Sequence, residues 1–233
     1  KFLVDYFTGE FDDSFARGRP FAHNEKTGDA RISGSLASLV GLQHAIEIDD
    51  ANQIQNCCNH IILLHSLIMS FGGIPLLYYG DETGTLNDYS YEFDDKKHSD
   101  SRWLHRPVID WERNKLRSKK GTVENFIFSG LQRMISIRKD TNAFSDFNTR
   151  DLLDFSNDAL FAFVRYDYAN PSDKVVVIAN MSPTPQELPL EELSDIAYVE
   201  PTHLYDLWSA KPPKFFSDSM ILAGFQFYWL VIK

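Results

Sequence analysis

The residues that can do chemistry in this chain stand in three short segments, and the first follows an apolar run. Ile74–Tyr79 is apolar and ends in Gly80, Asp81 and Glu82. We expect this run to be a buried parallel strand, and α/β folds place their sites at the C-terminal ends of such strands. Asp81 and Glu82 are adjacent, so on an extended segment they point to opposite sides and do not flank one reacting bond. A loop-anchoring role is therefore favoured over a catalytic pair.

The second segment runs from Asp100 to Trp103 and combines a forked cation with an aromatic plate. An arginine such as Arg102 can hold a carboxylate with two N–H groups, and a tryptophan can cover the apolar face of a sugar. The same residues also suit a structural salt bridge beside a core Trp103. Both interpretations stay open on these residues alone.

The third segment, Thr27–Arg31, places Asp29 and Arg31 in a glycine-containing turn before a helix. A surface turn is favoured here, since exposed ion pairs are usually inert. The histidines have no metal-ligand spacing, and neither a GxSxG motif, a phosphate loop nor a dinucleotide fingerprint occurs. We therefore expect neither a metal nor a cofactor.

Hydrophobic periodicity predicts the elements that position these segments. Apolar residues at helical spacing predict helices over 35–50, from Asp49 or Asp50 to about Phe71, and over 122–141, with Ser33 or Ser35 as the first N-cap. From about residue 151 the period changes to two. Strands are predicted at Leu152–Phe155, Ala159–Tyr166, Lys174–Asn180, His203–Trp208 and Met220–Ile232. The fold class is thus α/β over 1–147, followed by an all-β antiparallel sandwich over 148–233.

Composition excludes several classes of function. The 233 residues carry a net charge of −10, so nucleic acid is a poor partner. The longest apolar run, 61–71, is too short to cross a bilayer, and Cys57 and Cys58 are adjacent, which rules out a disulfide framework. The opening residues KFLVDYF do not read as a signal peptide, so a cytoplasmic location is favoured. The sequence starts without Met and inside an apolar stretch, which favours the interpretation that it is a piece of a longer chain.

Four strings in this order closely resemble one group of enzymes. They are SFARGRPF, TGDARISGSLASLVGL, GGIPLLYYGDETGTLNDYSY and DSRWLHRP. Together they resemble the C-terminal half of amylosucrases and related sucrose hydrolases of the α-amylase superfamily of glycoside hydrolases. The resemblance implies the terminal part of a TIM (β/α)8 barrel, with its last strand, flanking helices and a long loop. A C-terminal β-sandwich would follow.

The resemblance also implies what this chain binds and what it lacks. Its ligands would be sucrose and an α-glucan, and its partner would be the missing N-terminal portion of the barrel. The three catalytic carboxylates of the family belong to strands that have no counterpart here, so the chain alone is expected to be inactive. Arg102 matches the arginine that pairs with an Asp at the floor of the glucosyl subsite. Asp29 and Arg31 match residues on the acceptor or fructosyl side, and Asn24 lies in the same segment.

A competing interpretation is a non-catalytic carbohydrate-binding or interaction module built on the sandwich. An unpaired apolar edge at 74–79 would favour the cut barrel, whereas a row of exposed aromatic residues on the sandwich would favour the module. Whether the glucosyl unit passes to glucan or to water stays open. An autonomous hydrolase that uses Asp81 and Glu82 is disfavoured by their adjacency.

Overall fold

The computed structural model describes residues 1–145 and 147–233. By the clustering of contacts between Cα atoms, the chain divides into two compact units. The first unit contains residues 1–61 and 77–129, and the second contains residues 62–76 and 130–233. The domain boundary expected near residue 147 stays a prediction. Among the described residues, no helix has both the length and the apolar character that a membrane crossing requires.

The first unit is mainly helical and contains one small hairpin. Its antiparallel strands are β1 (Arg19–Phe21) and β2 (Arg31–Ser33). Its helices are α1 (Phe2–Thr8), α2 (Leu36–Leu39), α3 (Leu42–Glu47), the first part of α4 (Ala51–Ser70), α5 (Trp111–Asn114) and the first part of α6 (Val123–Asp140). Short 3-10 turns lie at Asp81–Thr83, Tyr89–Phe93, Ser101–His105 and Lys115–Ser118. These turns lie within the segment up to residue 121 that was expected to be a long loop.

The helix expected over 35–50 forms as two short helices, α2 and α3. Ser35 is the N-cap, since its Oγ accepts a hydrogen bond from Ser38 N at 3.2 Å. Between the two helices Gly41 has φ of 95°, which a continuing helix does not contain. A Cβ there would lie 2.6 Å from Cδ2 of Phe15, so the close packing of that ring also requires glycine.

The strand expected at Ile74–Tyr79 does not form, which corrects the sequence-based prediction. Helix α4 ends at Ser70 as expected, but residues 74–79 adopt neither helix nor strand. Ile74 and Leu76 are 83% and 85% exposed. A strand exists only through ladder hydrogen bonds with a neighbour, and no described segment pairs with this one. The apolar run therefore stays unpaired.

The second unit is built on two antiparallel sheets. Their strands are β3 (Arg150–Leu153), β4 (Leu160–Tyr166), β5 (Lys174–Asn180), β6 (Gln186–Pro189), β7 (Leu204–Asp206), β8 (Phe215–Phe216), β9 (Ser219–Leu222) and β10 (Phe227–Ile232). The larger sheet has the order β3-β4-β5-β10-β7, and the smaller has the order β6-β9-β8. Helix α7 (Leu190–Ala197) follows β6. The strand prediction from the sequence thus gave the bounds of β5 and located β3, β4 and β7. It treated β9 and β10 as one strand.

The second unit has one buried cluster to which both sheets contribute. Leu160 and Ile178 come from the larger sheet, and Leu188 and Met220 come from the smaller one. Leu193 adds the apolar face of α7. Burial of these side chains away from water is the main source of stability for this unit.

Candidate functional site

The hairpin of the first unit positions three of the four predicted site residues. Arg31 begins β2 opposite Phe21, and the connecting loop holds Asn24 and Asp29. The loop is closed by its backbone, because Asn24 N donates to Asp29 O at 2.8 Å and Gly28 N donates to Asn24 O at 2.9 Å. The Asn24 side chain accepts from Lys26 N at 3.0 Å. Asn24 is therefore engaged in shaping its own loop.

Arg102 lies in the 3-10 turn Ser101–His105 and makes a two-nitrogen contact with Asp100. Its Nε and Nη2 donate to the two carboxylate oxygens at 2.8 and 2.7 Å, and its backbone N donates to Asp100 Oδ1 at 3.0 Å. The side-chain hydrogen bonds from Arg102 lower the pKa of Asp100 to about 2, and the backbone N–H of Arg102 adds to this effect. The guanidinium of Arg102 is thus already paired with the carboxylate of Asp100, and both side chains are partly exposed to solvent.

Arg31 and Arg102 line one open groove with a volume of about 570 Å³. Ser101 Oγ donates to Pro20 O at 3.2 Å, which ties the turn that carries Arg102 to strand β1. We call this groove, lined by residues 20–22, 31, 91 and 98–102, the arginine groove. Asn24 and Asp29 are not among its lining residues. The Asp29 side chain is instead exposed to solvent. The structure thus brings together two of the four predicted residues.

Sequence reasoning missed the aromatic side of this groove. Phe21 and Tyr91 line it, whereas Trp103, expected to cover a sugar, is absent from the lining. Lys97 Nζ lies 5.0 Å from the centre of the Trp103 indole, and the Arg106 guanidinium lies 5.9 Å from it. Phe21 is the last residue of strand β1, and Tyr91 lies in a 3-10 turn 70 positions later, so only tertiary packing brings them together.

Asp81 and Glu82 have different surroundings. Glu82 Oε2 accepts a hydrogen bond from Gly80 N at 2.7 Å, which matches the loop-anchoring interpretation. Burial, with a smaller contribution from the Glu82 charge, raises the pKa of Asp81 to about 6. Neither residue lines the arginine groove; Glu82 lines a separate cavity of about 250 Å³.

No metal centre is visible in the described part of the chain. Among residues 1–145 and 147–233, no three His, Cys, Asp or Glu side chains are grouped so as to hold an ion. The arginine groove offers hydrogen-bond donors, charged groups and aromatic side chains. Such a surface suits the binding of a small polar ring.

Comparison with known structures finds a similar fold in parts of several enzymes. AmyP, solved in complex with maltose, is 16% identical with a TM-score of 0.58, over 79% of this chain and 36% of AmyP. A pullulanase from Anoxybacillus sp. LM18-11 in complex with maltotriose is 14% identical with a TM-score of 0.53, over 84% of this chain and 25% of the pullulanase. A mutant of the trehalulose synthase MutB in complex with Tris is 18% identical with a TM-score of 0.51, over 74% of this chain and 38% of that enzyme.

These similarities show the fold of the chain. A comparison with protein-family models finds no match. The chain spans 36%, 25% and 38% of the lengths of the three enzymes, so it corresponds to a minor part of each.

Proposed function

We propose that this chain is the C-terminal part of an amylosucrase-like enzyme that cleaves sucrose and transfers the glucosyl unit to an α-glucan or to water. The observation that carries the proposal is the partial fold match, in which 79% of this chain covers 36% of AmyP. The sucrose assignment rests on the resemblance of the strings GDETGTLND and DSRWLHRP to the sucrose-acting branch. In this proposal the chain supplies scaffold and sugar-binding residues, and the two sheets of the second unit form the C-terminal sandwich.

The unpaired segment 74–79 supports the proposal. Ile74 and Leu76 are two positions apart, so in a strand they would lie on one face. Soluble proteins rarely leave an apolar strand unpaired, since it templates association with other chains. An apolar run that is bare in the isolated chain is expected for a barrel strand whose neighbours belong to another part of the enzyme.

The chain by itself is expected to be inactive on sucrose. Retaining cleavage of a glycosidic bond needs two carboxylates about 5–5.5 Å apart across the bond. Asp81 and Glu82 are adjacent, and one oxygen of Glu82 is engaged by Gly80 N. No other carboxylate pair in this chain matches a catalytic motif of the family, so the chain lacks the reacting groups.

A direct assay tests this expectation. The purified chain is incubated with sucrose, with and without added glucan, and reducing sugar is measured. We expect no turnover. Turnover that survives Asp81→Asn and Glu82→Gln would contradict the proposal, whereas turnover lost only in those variants would establish an autonomous hydrolase.

Arg102 offers a second test in the complete enzyme that this proposal implies. There Arg102 would exchange Asp100 for a carboxylate of the barrel at the glucosyl subsite. We expect Arg102→Ala to lower kcat/KM for sucrose about 100-fold, because loss of a positioning contact costs this much. Arg102→Lys should recover little, since a point charge does not reproduce the fork. Arg133→Ala, at an exposed arginine of α6, is the matched control. A wild-type kcat/KM in Arg102→Ala would remove Arg102 from the site.

A non-catalytic carbohydrate-binding module is the second candidate. Tyr168, Tyr198 and Phe216 of the second unit are all largely exposed, and exposed aromatic rings are suited to stack on sugars. The test is sedimentation of the purified chain with insoluble starch. Binding that disappears in the triple alanine variant, and that Arg102→Ala leaves unchanged, would favour the module over the enzyme part.

A further inference from the structure

An open cavity with a volume of about 270 Å³ lies at one end of the larger sheet of the second unit. The sheet contributes the start of β5, the end of β10 and the residue that follows β7, and helix α6 contributes its C-terminal end. The lining residues are 140–143, 172–175, 207, 231 and 232. We call this cavity the sheet-end cavity. All of its lining residues belong to the second unit, and none of them lines the arginine groove.

Aliphatic side chains form one part of the lining. Ala143 and Val175 are almost fully buried, Val231 is half-buried, and Ile232 is 46% exposed. Aliphatic carbons that still face water gain free energy when a ligand covers them. An occupant that presents C–H groups to this side of the cavity is therefore favoured.

Polar side chains with unused hydrogen-bonding capacity form the other part. The carboxylates of Asp140 and Asp173 and the amide of Asn142 line the cavity. Within residues 1–145 and 147–233, none of these three side chains has a hydrogen-bond partner or an ion pair. Carboxylates only accept hydrogen bonds, whereas an amide both donates and accepts. The cavity thus offers acceptors and donors to a ligand.

The turn between β4 and β5, which carries Ser172 and Asp173, is held in one shape by its own hydrogen bonds. Asp167 N donates to Asp173 O at 3.0 Å, and Ser172 Oγ donates to Asn170 Oδ1 at 2.7 Å. The ammonium group of Lys174 donates to two carbonyls at the end of α7, at 3.2 and 2.9 Å, so it is engaged there. Since this part of the lining is already ordered, a ligand does not have to order it on binding.

The lining distinguishes between two classes of occupant. A cation would use the two carboxylates, but it accepts no hydrogen bond, so the N–H groups of Asn142 would have no partner in it. A sugar hydroxyl can donate to Asp140 or Asp173, and another can accept from Asn142. The C–H face of the sugar ring would also cover the aliphatic side chains. An uncharged sugar therefore uses more of the lining than a cation does.

We propose that the sheet-end cavity binds a glucosyl unit of an α-glucan. Hydroxyl groups of the ring donate to Asp140 and Asp173, one hydroxyl accepts from Asn142, and the C–H groups lie on Val231 and Ile232. A volume of about 270 Å³ lies just below the range for drug-sized ligands, which suits a ligand of one or two sugar rings. This inference rests on the proposed carbohydrate function and adds a second contact with the glucan, formed by the second unit.

Calorimetric titration of the purified chain with three probes tests the proposal. Maltose has both hydroxyl groups and the C–H faces of its rings, glycerol has hydroxyl groups without a ring, and putrescine is an aliphatic dication. We expect maltose to bind saturably and at least about tenfold more tightly than either of the others. Added NaCl should leave the affinity for maltose unchanged, because salt screens charges and maltose has none.

Variants assign the binding to the sheet-end cavity. Asp140→Ala and Asp173→Ala should each weaken the binding of maltose about tenfold, or about 1.4 kcal/mol. Asp158→Ala removes the same charge at an exposed position outside the cavity, so it is the matched control and should bind like the wild type. Arg102→Ala should retain this binding, because Arg102 does not line the cavity. Circular dichroism checks that each variant is folded.

Five results would overturn the proposal. They are no saturable binding of maltose, equal or tighter binding of putrescine, equal affinity for glycerol, equal losses in Asp173→Ala and Asp158→Ala, and loss of the binding in Arg102→Ala. The proposed function has its own readout, sucrose cleavage by the complete enzyme with and without Arg102→Ala. Failure of one is therefore distinguishable from failure of the other.

Discussion

Replacing Arg165 by methionine is expected to destabilise the second unit, because this fully buried arginine satisfies backbone groups from two segments. Its Nε donates to Thr149 O at 2.7 Å, and its Nη1 donates to Ser70 O at the end of helix α4. The last carbonyls of a helix have no partner within the helix. A guanidinium at this end also faces the negative end of the helix dipole.

The magnitude follows from the groups left without a partner. Methionine fills much of the same space but donates nothing, so the Ser70 carbonyl loses its hydrogen bond, while the Thr149 carbonyl keeps only the one from Tyr166 N at 3.4 Å. A buried group left unsatisfied costs about 1–3 kcal/mol, so the free energy of unfolding should fall by about 1–3 kcal/mol. Hydrogen exchange should also speed up near Ser70, where the helix end is released.

Urea unfolding followed by circular dichroism measures the loss. Arg133→Met, in which an exposed arginine of α6 is replaced, is the matched control; it loses a cation–π contact with Trp208 at 5.3 Å and should change the free energy of unfolding by less than about 1 kcal/mol. A midpoint for Arg165→Met equal to that of Arg133→Met would show that the buried contacts contribute nothing net, and the reasoning from unsatisfied carbonyls would be wrong.

Two further substitutions probe the first unit. Since burial raises the pKa of folded Asp81 to about 6, above its ordinary value of 3.8, folded Asp81 keeps a proton that the unfolded chain loses. Stability should therefore fall as pH rises from about 4 to 6, and Asp81→Asn, measured by thermal unfolding, should remove about 1–2 kcal/mol of this fall after solvent screening. Parallel pH profiles for variant and wild type would contradict it. Gly84→Ala should cost about 1–2 kcal/mol, because φ there is 61° and the new Cβ would lie 2.7 Å from Cδ1 of Ile127. An unchanged urea midpoint would count against that strain.

Local pattern was sufficient where the structure depends on neighbours in sequence. The helical stripe predicted α4, and a short apolar run after the turn residues Asn170–Ser172 predicted the bounds of β5. The hydroxyl of Ser35 caps α2 because an N-cap bond reaches only three residues along the chain. Helix α4 and the N-cap of α2 need only contacts within a few residues, and β5 forms because β4 and β10 supply its ladder.

Other features depended on partners far away in sequence. Ile74–Tyr79 has the composition of a strand, yet it forms none because a ladder needs a neighbouring strand. The break between α2 and α3 depends on the packing of Phe15 against Gly41, 26 positions later. Neither requirement is visible in the local pattern of the segment concerned.

The candidate site shows the same division. The sequence singled out Arg102 because a forked cation beside an aromatic residue is a recognisable chemical type, and it singled out Arg31 only through the family resemblance. Only the tertiary structure decided that these two share a groove, since Ser101 reaches Pro20 across 81 positions of chain. It also decided that Asn24 and Asp29 lie outside that groove and that Asp100 closes the Arg102 fork. Residue types are local properties, whereas a cavity is made by whichever distant surfaces the packing brings together.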